Sequence, residues 1–145
     1  MCSDEKYATD TRFGEECEEL IAKFLGTNRA RIKDYDMIYK GLHLEIKSHK
    51  GVKGSTVYST FPAEIYNRTN DISHYINSTK QGNIDVIINF NKYNNTMYLF
   101  RAKEFVDYVL FHKSKAKWNV YNSAKCILIP WEEKEAGFFR KIQIK

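Results

Sequence analysis

From Phe13 the apolar side chains fall at Phe13, Cys17, Leu20, Ile21, Phe24 and Leu25, the i, i+4, i+7, i+8, i+11 spacing of a helix that buries one face. Gly26 is placed to end it. The opposite face carries Glu15, Glu16, Glu18, Glu19 and Lys23, and acids near a helix start also suit its dipole. The period then changes. Leu42, Leu44 and Ile46 alternate with His43, Glu45 and Lys47, which is the pattern of a half-buried strand. Asp36-Met37-Ile38-Tyr39 precedes it across Lys40-Gly41, so the two segments form a hairpin if those two residues are the whole turn.

Further along, Lys50 to Gly54 reads as a basic, glycine-containing loop, and the mixed signals of 60–78 are taken as helix, with Pro62 near its start and a break at Asn70-Asp71. Ile84 to Phe90 is a strand, Asn91 to Asn95 a turn and Thr96 to Phe100 the hairpin partner. Lys103 to Phe111 has helical spacing, and Cys126 to Pro130 and Phe138 to Ile144 are two more short strands. The order predicts an α/β (α+β) fold with a central mixed β-sheet flanked by helices, as a single domain over residues 1–145.

The hairpin is where chemistry enters. Strand alternation puts Glu45 and Lys47 on one face with the Ile46 carbonyl between them. Pairing across a Lys40-Gly41 turn sets Asp36 opposite Glu45, their Cβ atoms about 4.5–5.5 Å apart. Two carboxylates that close repel unless a cation compensates. Mg²⁺, with Mn²⁺ as substitute, takes one or two carboxylates and further oxygens, so Asp36, Glu45 and the Ile46 carbonyl are candidate ligands, with Lys47 beside a metal-bound water. The competing reading is an ordinary half-exposed strand, since Glu-apolar-Lys is a common triplet.

Composition changes the picture modestly. A net charge of +5 and a pI near 9.0 fit an anionic partner, and His49, Lys50 and Lys53 are candidate phosphate contacts. Tyr58, Tyr66, Tyr75, Tyr93 and Tyr98 lie among lysines and arginines but read mostly as core and rim residues. Cys2, Cys17 and Cys126 are odd in number and far apart, which indicates neither a zinc site nor a disulfide framework. No apolar run of membrane-spanning length is present, and a soluble intracellular protein is the expectation.

Asp36 followed by Leu44-Glu45-Ile46-Lys47-Ser48 resembles the signature of the PD-(D/E)XK nuclease superfamily, an Asp before a hairpin turn and then Glu-apolar-Lys. Gly14-Glu15-Glu16-Cys17-Glu18 and the stripe after it resemble the opening helix of such proteins. Tyr35 stands where the named motif has Pro, and Asp34 competes with Asp36. The resemblance is specific over residues 12–48 and topological from Ile84 to Phe111. It implies a restriction-endonuclease-like core and a Mg²⁺-dependent endonuclease acting on DNA, duplex or branched, with RNA also admitted. It implies Glu18 as the helix carboxylate that supports the metal, ahead of Glu15 and Glu19. One domain offers one site, so cutting two strands implies a homodimer. The alternative is a non-catalytic nucleic-acid-binding or assembly module on the same fold.

Overall fold

The structure, a computed structural model, describes residues 4–30, 32–120 and 122–145, with side chains from residue 11 onward. Helix α1 spans Asp4–Leu25, so it begins well before the apolar stripe. Cys17, Ile21 and Ala22 are buried and Leu25 half-buried. That arc is centred between Ile21 and Ala22, which leaves Phe24 on its flank, 45% exposed, instead of inside. Glu18 falls within the arc, whereas Glu15 and Glu19 face solvent.

Strands β1 (Met37–Tyr39) and β2 (Leu42–His49) form the expected hairpin. Met37 pairs with Leu44, Ile38 with His43 and Tyr39 with Leu42. Lys40 and Gly41 both take positive φ, 50° and 79°, the conformation of a two-residue turn whose twist matches the strands. The basic loop is more ordered than expected. It holds a small hairpin of β3 (Val52–Lys53) and β4 (Thr56–Val57).

The expected helix over 60–78 is corrected. Its first part is β5 (Thr60–Asn67), and only His74–Lys80 is helical, as α2. The reason is a period of two: Phe61, Ala63 and Ile65 are buried while their neighbours are not. Pro62 fits there because β5 lies at the edge of its sheet, where a missing N–H breaks no inner ladder. Beyond it come β6 (Val86–Asn91), β7 (Thr96–Arg101), α3 (Ala102–Phe111), β8 (Lys117–Trp118), β9 (Ala124–Pro130) and β10 (Phe138–Gln143). Apart from β8, which was not expected, each lies within two residues of its expected bounds.

These strands make a mixed five-stranded sheet in the order β1-β2-β6-β7-β10 and a separate antiparallel sheet in the order β5-β9-β8. The second sheet was not foreseen. In the first, β2 and β6 run parallel and every other pair antiparallel. On one face Leu44, Ile46, Val86, Ile88, Phe90 and Met97 pack on Cys17, Ile21 and Ala22 of α1. On the other, Ile87, Tyr98 and Phe100 meet α2, α3 and the smaller sheet through Phe61, Ile65, Tyr75, Phe105 and Ile129. The fold is therefore α/β, with a central mixed sheet flanked by helices. Among the described residues no helix is long and apolar enough to cross a membrane. Cys17 and Cys126 are free thiols, and Cys2 lies outside the described residues.

Gly51, where β2 gives way to β3, has φ +77°, and a Cβ there would lie 2.0 Å from Asn91 Oδ1. Asn91 is buried and its Oδ1 accepts the Tyr93 N–H, so it cannot retreat cheaply. Gly51→Ala should cost about 1–3 kcal/mol from backbone strain and overlap. The measurement is urea unfolding, with the midpoint lowered and the slope unchanged.

Candidate active site

Residues of β2 with main-chain groups toward β1 are Leu42, Leu44 and Ile46, by alternation. The β1 ladder stops at Met37, so Ile46 has no strand residue to pair with on that side. Asp36 fills the place with its side chain: the Ile46 N–H donates to Asp36 Oδ2 at 2.7 Å. Its own N–H turns to the Leu44 carbonyl at 2.8 Å, so Asp36 is not a further rung opposite Glu45. The rung expected from a regular ladder is thus replaced by a carboxylate bonded to the main chain beside Glu45. The Ile46 carbonyl lies on the same edge, by the alternation that aims Leu44 O there. Asp34 is turned elsewhere. Its carboxylate lies 3.6 Å from His74 Nε2 and its carbonyl accepts the Ser78 hydroxyl, which leaves Asp36 as the acid at the hairpin.

Leu44 and Ile46 are buried against α1, so Glu45 and Lys47 project from the opposite face. Glu45 is largely buried, 14% exposed at its side chain, and its Oε2 lies 3.3 Å from Lys47 Nζ. Burial, with the charges of Asp36 and Glu18 added, outweighs Lys47 and pushes the Glu45 pKa up to about 7. Burial also works against the Lys47 ammonium. The carboxylates of Glu45, Glu64 and Asp36 more than offset it, and the Lys47 pKa stands above the ordinary lysine value. Its Nζ lies 4.7 Å from the centre of the Tyr75 ring.

Glu18 is the one acid of the helix cluster on the sheet side. Burial first, and the Asp36 charge second, raise its pKa. Arg29 holds it at 3.3 Å from Nε to Oε1 and reaches Glu19, which is 70% exposed, at 3.8 Å. Glu15 is exposed and takes no part in that bridge. Glu18, Asp36 and Glu45 therefore share one electrostatic neighbourhood, and the last two also act on Lys47. Among the described residues, however, no group of three or more His, Cys, Asp or Glu side chains is disposed to hold a metal ion. The donors on offer are two carboxylates and a main-chain oxygen, a set that Mg²⁺ accepts together with water and phosphate oxygens. A buried carboxylate with too little positive charge nearby is the chemistry a divalent cation satisfies, so the residues fit.

The histidines and the loop lysines behave differently. His49 shares the face of Glu45, but its ring packs against Phe61 and Trp131 and its Nε2 meets Asn89 Oδ1 at 2.9 Å. Burial lowers its pKa to about 4, so it is neutral and committed to the core side, not held out to a phosphate. His43 stacks on Tyr35 at 4.0 Å, with Nδ1 3.0 Å from the Asn83 carbonyl. Lys50 reaches over the Phe13 ring, and Lys53 is exposed in the small hairpin.

Two residues were missed. Glu64 faces Lys47 electrostatically, takes the Ser73 hydroxyl on its carboxylate and offers its carbonyl to the Tyr75 hydroxyl. Burial, and then Glu64, drive the Tyr75 pKa well above its usual value, so the phenol stays protonated as a donor. The alternation of Phe61, Ala63 and Ile65 was the available signal for Glu64, and reading that stretch as helix hid it.

Glu45 and His49 oppose each other in acid. Glu45, with its folded pKa raised from 4.5, binds a proton in the folded state that the unfolded chain has lost, so its contribution falls as pH rises from 4.5 to about 7. His49, lowered from 6.5, makes stability rise from about pH 4 to 6.5. Without divalent ions the two slopes should largely cancel in the wild type. Glu45→Gln should leave a rise of roughly 2 kcal/mol or more over that window, and His49→Asn a fall of similar size, read as urea midpoints from pH 4 to 8.

No family model matches the chain, and comparison with curated proteins and with solved structures finds no significant match.

Proposed function

We propose that this chain is a divalent-metal-dependent endonuclease that hydrolyses phosphodiester bonds, with DNA as first substrate, on a restriction-endonuclease-like core. The observation that carries the reading is the Glu45–Lys47 pair, 3.3 Å apart on one face of β2, beside an Asp36 carboxylate fixed by the Ile46 N–H. The order of α1, the β1–β2 hairpin and the β6–β7 hairpin in one mixed sheet supports it as well.

Asp36, Glu45 and the Ile46 carbonyl would hold Mg²⁺ or Mn²⁺, which supplies a Lewis acid for the phosphate and a lower pKa for attacking water. Asp36 cannot swing freely, because its Oδ2 replaces a ladder acceptor, and that fixes one side of the donor set. Lys47 is protonated throughout the neutral range. It therefore serves as hydrogen-bond donor and counter-charge to the water or to the phosphate as negative charge builds, and not as a base. Glu18 stands behind Asp36 and adds negative potential, which Arg29 moderates. Two copies of the chain would address the two strands of a duplex.

A second reading, a non-catalytic nucleic-acid-binding module, draws support from the same Arg29, which neutralises Glu18 without any metal. Cleavage separates the two. With Mg²⁺ or Mn²⁺ and plasmid, single-stranded, branched and RNA substrates, the wild type should cut, and Glu45→Ala and Lys47→Ala should each lose about 100-fold or more. Equal rates in the three proteins would sink the nuclease reading. Metal should also raise the thermal midpoint of the wild type more at pH 8 than at pH 6, because Glu45 must release its proton to bind, and Glu45→Gln should abolish that gain.

A further inference from the structure

A cleft with a volume of about 540 Å³ lies beside the smaller sheet. Tyr108 of α3, His112 just past its end, Lys117 and Trp118 of β8, and Pro62 and Leu128 of the smaller sheet line it. Lys115 adds a cation in the turn between α3 and β8, and among the described residues no acid takes part in the wall. The chain itself shows the same bias: residues 108–131 carry Lys113, Lys115, Lys117 and Lys125 and no Asp or Glu, which accounts for four of the five net positive charges.

The apolar part of the cleft is aromatic and open. Trp118 is 38% exposed and Leu128 69%. The Tyr108 and His112 rings lie 4.4 Å apart with their planes inclined at 52°, so they present an aromatic corner. Lys125 stands 5.7 Å from the Trp118 ring centre and 5.7 Å from that of Tyr66, so positive charge flanks the aromatic planes. Flat rings interleaved with ammonium groups suit a ligand with flat faces and regular negative charges. A duplex hides its base faces, and an acidic peptide has no faces to stack, whereas an unpaired strand presents both.

We propose that this cleft binds an unpaired stretch of nucleic acid, with one base stacked on Trp118, a neighbouring base against the Tyr108–His112 corner, and phosphates on Lys115 and Lys117. The cleft also adjoins the candidate active site. Cys126 lines it and is the ladder partner of Glu64, the acid that acts on Lys47. A strand seated on Trp118 is thereby directed toward Glu45 and Lys47. That delivery rests on the nuclease reading, whereas the binding itself does not.

The test is fluorescence anisotropy of a labelled oligothymidylate of about 15 nucleotides, near the upper site size of single-strand binding folds, with the whole chain in EDTA. The wild type should bind it at least tenfold more tightly than a duplex of equal length, and polyglutamate should not displace it. Trp118→Ala should weaken binding roughly tenfold, the loss of one stacked base. The double variant Lys115→Gln, Lys117→Gln keeps the aromatic wall and should flatten the salt dependence by about 1.4 in log–log slope, two phosphates at about 0.7 each. Equal affinity for duplex, displacement by polyglutamate, or wild-type binding by both variants would overturn the proposal. Should metal-dependent cleavage persist while the oligonucleotide fails to bind, the cleft assignment alone falls. Should binding persist without cleavage, the nuclease reading falls and the cleft assignment stands.

Discussion

Strand β2 is packed on both faces, and the rest of the molecule follows from that. Leu44 and Ile46 are gripped by α1, so Glu45, Lys47 and His49 have no choice of side. A slip of one residue would bring two charges and an imidazole against Ile21 and Cys17 and throw two aliphatic side chains to the other face. Register in the sheet is thus enforced by the cost of burying charge, which exceeds any preference of the backbone itself. The parallel pairing of β2 with β6 extends the constraint, since Lys47 sits beside Asn89, and Asn89 in turn takes up His49.

The same packing creates an electrostatic imbalance. Glu45 is too enclosed to be solvated as a free carboxylate and has one cation in contact, while Asp36 and Glu18 add to its burden. A purely structural ion pair gains nothing from two further acids nearby. Asp36 also spends its carboxylate on the Ile46 N–H where a strand residue could have supplied a carbonyl.

The smaller sheet turns this edge into a walled site. Its strand β5 brings Glu64 to Lys47, and α2, which follows it, brings Tyr75 under the ammonium. It also separates two groups of positive charge: Lys47, paired with Glu45, and the lysines of residues 113–125, of which Lys115 and Lys117 line the cleft and Lys125 stands over the Tyr66 and Trp118 rings. On the proposed reading, a basic surface next to the acidic centre would draw in a polyanion without holding it at the carboxylates.

Much of this was legible in the residues alone. The alternation of Leu42, Leu44 and Ile46, and the Lys40-Gly41 turn, determined the β1–β2 register, because only one pairing keeps apolar side chains together across a two-residue turn. The helix stripe, the β6–β7 hairpin and the shared face of Glu45 and Lys47 were equally readable, since each depends on neighbours within a dozen residues. Tertiary structure decided the remainder. The local signals of 60–78 were ambiguous, and a strand won there because Phe61, Ala63 and Ile65 find a core partner in β9, some sixty residues away. His49, an apparent phosphate contact by parity, is half-buried against Phe61 and Trp131. Asp36 against Asp34, Glu18 against its neighbours, and the arrival of Glu64 all turned on contacts between distant segments. Sequence periodicity determines which side of an element a residue takes; only the packing of that element against others decides what the residue meets there.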